Sequence, residues 1–127
     1  MIVAITAVGD RLDSDIDPRF GRCRYFIFVN LETNAVTAVA NAATAGGAGI
    51  ASGQTLVTYG AKAVITGDVG PNAFQVLSAA GIKIYTGISG KVKDAVEAFK
   101  AGKLKNIGQA SVEQHYGLSA PQQQDGQ

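Results

Sequence analysis

The chain has 127 residues, enough for one domain with its own core, and its 46% hydrophobic and 17% charged composition is that of an ordinary soluble protein. A formal net charge of +1 lacks the basic excess that usually marks a nucleic-acid-binding domain. The single cysteine excludes an internal disulfide and any all-cysteine metal cage.

Ile2 to Val8 is a short apolar, β-branched run closed by Gly9 and reads as a buried strand. It is too short for a membrane span and carries no basic leader or cleavage site, so a cytoplasmic protein is expected. Asp10 to Arg24 has no clean periodicity, Asp17-Pro18 favours a turn, and a loop this long in a small domain is usually functional. Tyr25 to Asn30 and Ala35 to Ala40 read as strands of a hairpin turning at Glu32-Thr33-Asn34.

Strands and helices then alternate. Ala45-Gly46-Gly47-Ala48-Gly49 leads into a helix reaching about Tyr59, with Ile50, Ala51, Leu56 and Val57 on one side. Ala61 to Thr66 is a strand, and Pro71 suits the start of a second helix with Ala73, Phe74, Val76, Leu77 and Ala80 facing inward. Ile82 to Thr86 is the fifth strand, and a third helix from about Lys91 carries Val92, Ala95, Val96 and Phe99 at helical spacing. The reading is one α/β domain over residues 1–106 and a polar, Gln-rich extension over 107–127 expected to be mobile.

This order brings the Asp10–Arg24, Asn41–Gly49, Gly67–Gly70 and Gly87–Gly90 connections to one edge of the sheet, where open α/β sheets bind ligands. Three of these are glycine-bearing loops that open helices, and helix starts attract anions through free N–H groups and the helix dipole. Every arginine of the chain (Arg11, Arg19, Arg22 and Arg24) lies in the first connection, interleaved with Asp10, Asp13, Asp15 and Asp17. Together these features point to an anion site, although tight turns and a solvated charged loop account for each one separately. No P-loop and no dinucleotide fingerprint is present. A Cys23–His115 nucleophile–base pair is conceivable, but the only histidine lies in the extension.

Asp17-Pro-Arg-Phe-Gly-Arg-Cys-Arg-Tyr-Phe26, Ala45-Gly-Gly-Ala-Gly-Ile50, Thr66-Gly-Asp-Val-Gly-Pro-Asn-Ala-Phe74, Ala80-Gly-Ile-Lys-Ile-Tyr85 and Val96-Glu-Ala-Phe-Lys-Ala-Gly-Lys-Leu104 occur in this order. The set resembles the dinitrogenase iron–molybdenum cofactor biosynthesis family across most of the folded part. The resemblance implies a ribonuclease-H-like α/β fold with a mixed five-stranded sheet and flanking helices. It implies a non-enzymatic protein that binds, stores or delivers a molybdenum-containing metal–sulfur cluster, either an iron–molybdenum cofactor or a Mo–Cu sulfide cluster, in a nitrogen-fixation-related setting. Such a cluster is a polyanion, which arginines and backbone N–H groups can hold without metal–protein bonds. Mapped onto this chain, Arg19, Gly21, Arg22 and Arg24 form the basic side. Gly46, Gly47, Ala48 and Gly49 form the cradle, with Gly67 and Gly70 in the next loop.

Direct metal ligation would fall to Cys23, whose thiolate would suit Cu(I) and be favoured by neighbouring arginines, or to His115 folded back over the site. Cys23 equally reads as a small buried residue beside the second strand. A histidine that often precedes the glycine loop in relatives is missing here. Residues 2–8 hold no acid, which disfavours two-metal nuclease chemistry. Expected partners are a cofactor donor or recipient protein, with neither nucleic acid nor membrane, and the chain itself a monomer or weak homodimer. Two alternatives stay open: an enzyme acting on a phosphorylated metabolite with Asp68 as base, and a regulatory protein-interaction module.

Overall fold

The computed structural model describes residues 1–42 and 48–106. The strands β1 (Ile2–Ala7), β2 (Tyr25–Asn30), β3 (Val36–Ala40), β4 (Ala61–Ile65) and β5 (Lys83–Tyr85) form one sheet in the order β3-β2-β1-β4-β5. The hairpin strand β2 is antiparallel to both neighbours, whereas β4 runs parallel to β1 and β5. Helices α1 (Ala48–Thr58), α2 (Pro71–Ala79) and α3 (Val92–Lys100) complete the mixed α/β fold expected from the sequence. The expected mobile extension over 107–127 lies outside the described residues. No described helix is long and apolar enough to cross a membrane.

The strict two-residue alternation of β1 and β2 sends their side chains into two separate cores. Ala4, Phe26 and Phe28 pack with Leu56 of α1 and Ala73 and Leu77 of α2 on one face, while Val3, Ile5 and Ile27 pack with Val92, Ala95 and Val96 of α3 on the other. Each fully buried large side chain, such as Phe26 or Ile5, contributes about 2 kcal/mol through removal from water.

The packing face of α1 differs from the expectation. Leu56 is buried as expected, but Ile50 and Val57 are 43% and 49% exposed, and the buried set is Ala48, Ser52, Gly53 and Leu56. The reason is the close approach of α2: a Cβ on Gly53 would stand 2.7 Å from Val76 Cγ1, and one on Gly49 would stand 3.1 Å from Ala73 Cβ. In α2, Ala80 likewise turns out exposed, beyond the last turn that touches the sheet.

Candidate functional site

The site grows from the adjacent C-terminal ends of β1 and β4. Thr6 Oγ1 meets Thr66 Oγ1 at 2.8 Å and donates to the Asp17 carbonyl, also at 2.8 Å, while Asp17 N–H donates to the Thr6 carbonyl at 2.9 Å. Asp17 thereby marks where the long first loop crosses the sheet end: Ile16 belongs to the α3-side core, and Phe20 and Cys23 to the α1/α2-side core. Its carboxylate is only 1% exposed and accepts from the backbone N–H groups of Arg19 (3.1 Å) and Arg24 (3.2 Å). Arg19 adds its guanidinium, with Nε at 3.2 Å, and that hydrogen bond and the carboxylate charge hold Arg19 above the ordinary arginine pKa.

Beyond this anchor the loop forms one wall of an open cleft of about 550 Å³. Arg19, Phe20, Gly21 and Arg22 line one side, Ala48 and Gly49 of α1 the second, and Asp68 with Gly70–Ala73 the third. The start of α2 carries no side-chain cap, and Pro71 brings no N–H of its own. Phe74 N–H is bonded to the Gly70 carbonyl, which leaves Asn72 and Ala73 as first-turn donors without an acceptor among the described residues. Arg22 is exposed and forms no ion pair among the described residues. The charge balance is modest, because Asp17 engages Arg19 and the Asp68 carboxylate also borders the cleft. The cleft thus offers an anion directed N–H groups and Arg22 and no strong basic field.

Not every residue singled out in the sequence meets here. Arg19, Gly21, Arg22, Ala48, Gly49 and Gly70 line the cleft. Arg24 is exposed outside its lining, and Gly67 serves packing, since a Cβ there would stand 2.6 Å from Pro18 Cα. The third glycine loop reaches the same sheet edge but serves the opposite face. The α3 start is already satisfied there, with Val92 N–H donating to the Ser14 carbonyl (2.9 Å) and Lys93 N–H to the Leu12 carbonyl (2.8 Å). Gly46, Gly47 and His115 lie outside the described residues. Among the described residues, no three His, Cys, Asp or Glu side chains are grouped so as to hold a metal ion.

Cys23 is 3% exposed within the α1/α2-side core and does not line the cleft. Burial first, and then the negative charge of Asp17, push its thiol up to about 12, against the opposing effects of Asn41 and Arg19. Burial and the Asp17 charge thus outweigh Arg19, and the arginines of the loop do not favour the thiolate as expected. Two outcomes follow. Alkylation of the native protein by iodoacetamide at neutral pH should be slower than that of the denatured chain by roughly 100-fold or more. The unfolded thiol ionises first as pH rises, so the stability contributed by the protonated thiol is intact below its ordinary range and is lost as pH climbs towards the folded value. Urea midpoints should accordingly fall more steeply above about pH 9 for the wild type than for Cys23→Ala.

The sequence reading pointed to free N–H groups at this helix start through the Gly67–Gly70 loop, without naming Asn72 and Ala73 as their carriers. Asp17 was visible only as one member of a charge cluster.

The chain matches the family described as dinitrogenase iron–molybdenum cofactor over residues 1–102. An uncharacterised protein of Methanocaldococcus jannaschii is 30% identical over 97 residues, covering 72% of this chain and 82% of the relative. The apo form of the orange protein from Desulfovibrio gigas superimposes with a TM-score of 0.85 at 40% identity, over 87% of this chain and 96% of that one. A NifB-type protein of the DUF35 family from Thermotoga gives a TM-score of 0.74 at 42% identity, over 83% of this chain and 91% of that one.

Proposed function

Because this chain belongs to the dinitrogenase iron–molybdenum cofactor family, we propose that its cleft carries an anionic molybdenum-containing metal–sulfur cluster as cargo, held by hydrogen bonds and charge. The observation that carries this reading is the meeting of the uncapped α2 start with Arg22 across an open cleft. The chemistry of the donors fits the cargo: N–H groups and a guanidinium suit the sulfide or oxo surface of a polyanion. Gly70 fits as well. It borders the cleft, its φ of −81° suits any residue, and an added Cβ would meet nothing within 4 Å, so protein packing does not demand a glycine there.

A carrier needs reversible retention more than tight ligation. An open mouth and bonds made only to the cluster surface allow cargo to pass from a donor protein to a recipient protein. The role is one of binding and transfer, without a chemical step at the protein.

The test is anaerobic mixing of apoprotein with tetrathiomolybdate and Cu(I), followed by desalting, visible spectroscopy and elemental analysis. A retained chromophore is expected, with affinity reduced about tenfold or more in Arg22→Ala. Failure to retain this cluster, or an iron–molybdenum cofactor offered by a biosynthetic donor, would overturn the reading. Tight binding of phosphate esters instead would move the site to a phosphorylated metabolite, with Asp68 at the cleft edge as the candidate base.

A further inference from the structure

Behind Arg22, the Gly21 carbonyl is held from two directions. Asn41 Nδ2 donates to it at 3.0 Å and Ser52 Oγ at 3.1 Å. Ser52 is fully buried in α1, where a serine commonly bonds back to its own helix, yet its hydroxyl reaches across to the loop. Asn41 also donates to the Cys23 carbonyl at 2.9 Å, and its backbone N–H donates to the Arg24 carbonyl at 3.0 Å. The Gly21 backbone can sit this close only without a side chain, since a Cβ would stand 2.9 Å from Gly49 N. One end of the Gly21–Arg22 peptide is therefore fixed against the protein.

A trans peptide places its C=O and N–H on opposite sides, and the described chain contains no cis bond. Turning the Gly21 carbonyl inward therefore turns the Arg22 N–H away from Ser52 and Asn41. Both Gly21 and Arg22 line the cleft, and the Arg22 N–H has no acceptor among the described residues.

We infer that Ser52 and Asn41 are positioning residues which, by clamping the Gly21 carbonyl, present the Arg22 backbone N–H to the cleft as a donor for a bound oxo- or thioanion. This rests on the anion-carrier reading of the cleft and adds to it a binding group independent of the arginine side chain. Arg22 then contributes twice, through guanidinium and main chain, opposite the Asn72 and Ala73 donors of α2. The arrangement favours anions with several acceptor atoms over a single-headed carboxylate.

The experiment is an amide-resolved NMR titration of the full chain with molybdate and, anaerobically, with tetrathiomolybdate, alongside affinities for three variants. The Arg22 amide is expected to shift on binding, and its hydrogen exchange to slow about tenfold. Arg22→Ala loses the guanidinium and keeps the N–H, whereas Arg22→Pro loses both, so proline should bind about tenfold more weakly than alanine. Ser52→Ala should weaken binding and reduce the Arg22 amide shift while the thermal melt stays cooperative. An Arg22 amide that stays still while wild-type protein retains the anion overturns this inference and leaves the carrier reading standing. Equal affinities for folded Arg22→Ala and Arg22→Pro do the same. Retention of neither anion by the wild type overturns this inference, and the carrier reading is then decided by the cluster-retention experiment above. Should Arg22→Pro fail to fold, the wild-type amide titration decides.

Discussion

Gly70→Asp is expected to stabilise the protein while strongly weakening the anionic-cluster binding proposed for it. Gly70 is the N-cap of α2, with φ −81° and ψ 172°, the extended geometry in which an aspartate caps a helix. An added side chain meets no protein atom within 4 Å of its Cβ. The new carboxylate would accept from the Asn72 or Ala73 N–H and face the positive end of the helix dipole, a gain of about 0.5 kcal/mol over glycine. On the proposed carrier role, the same act occupies donors offered to the cargo and brings a negative charge against a polyanion, so affinity should fall on the order of 100-fold. Thermal melting and thiomolybdate retention, measured side by side, should move in opposite directions. A variant that binds like the wild type would remove the α2 start from the site.

The second large effect belongs to Asp17→Ala. The ion pair with Arg19 counts for little, because the Arg19 side chain is 60% exposed and solvates itself when released. The loss comes from the backbone, where the Arg19 and Arg24 N–H groups lose a charged acceptor at a buried crossing of the chain. That should cost about 2–4 kcal/mol, or a melting temperature lower by about 10 °C. Asp17→Asn keeps the shape and an acceptor oxygen and should lose roughly half as much. Cluster affinity should fall in both, because Arg19 and the Gly21–Arg22 segment follow this anchor into the cleft wall. If Asp17→Ala melts within about 2 °C of the wild type, the loop is held by something other than this carboxylate.

The elements were legible because each carries its own period or punctuation. Tyr25–Asn30 could be read to the residue, and Gly60, Gly81 and Gly102, all in the left-handed region, mark the ends of their helices. The outer face of α1 misled because periodicity assumes that large apolar residues point inward. Here α2 packs closely against Gly49 and Gly53, Ser52 faces the first loop, and Ile50 and Val57 are turned out. At the site, the arginines and glycines could be seen as residue types, but their partners are set by tertiary contacts. Asp17 engages Arg19, Pro18 explains Gly67, and Ser14 with Leu12 closes the start of α3. The main-chain N–H groups proposed as donors have no letter of their own, and only the glycine loops opening the helices announced them as a class.

The loop that builds the cleft wall is also tied to the far end of the fold, through Ile16 N–H to the Gly90 carbonyl at 2.8 Å and Asp15 to Lys91 at 3.1 Å. Those bonds join the first connection of the chain to the turn before its last described helix. During synthesis Asp17 and Gly21 can find their partners among the first 70 residues, whereas Leu12, Ser14, Asp15 and Ile16 wait for residues 90–93. The order of translation therefore supplies the cleft-lining residues first and the clasp on the early part of the loop last. A chain stalled before residue 90 would carry all five strands and every residue that lines the cleft, but one face of the sheet would lack its helix and the Leu12–Ile16 stretch its clasp.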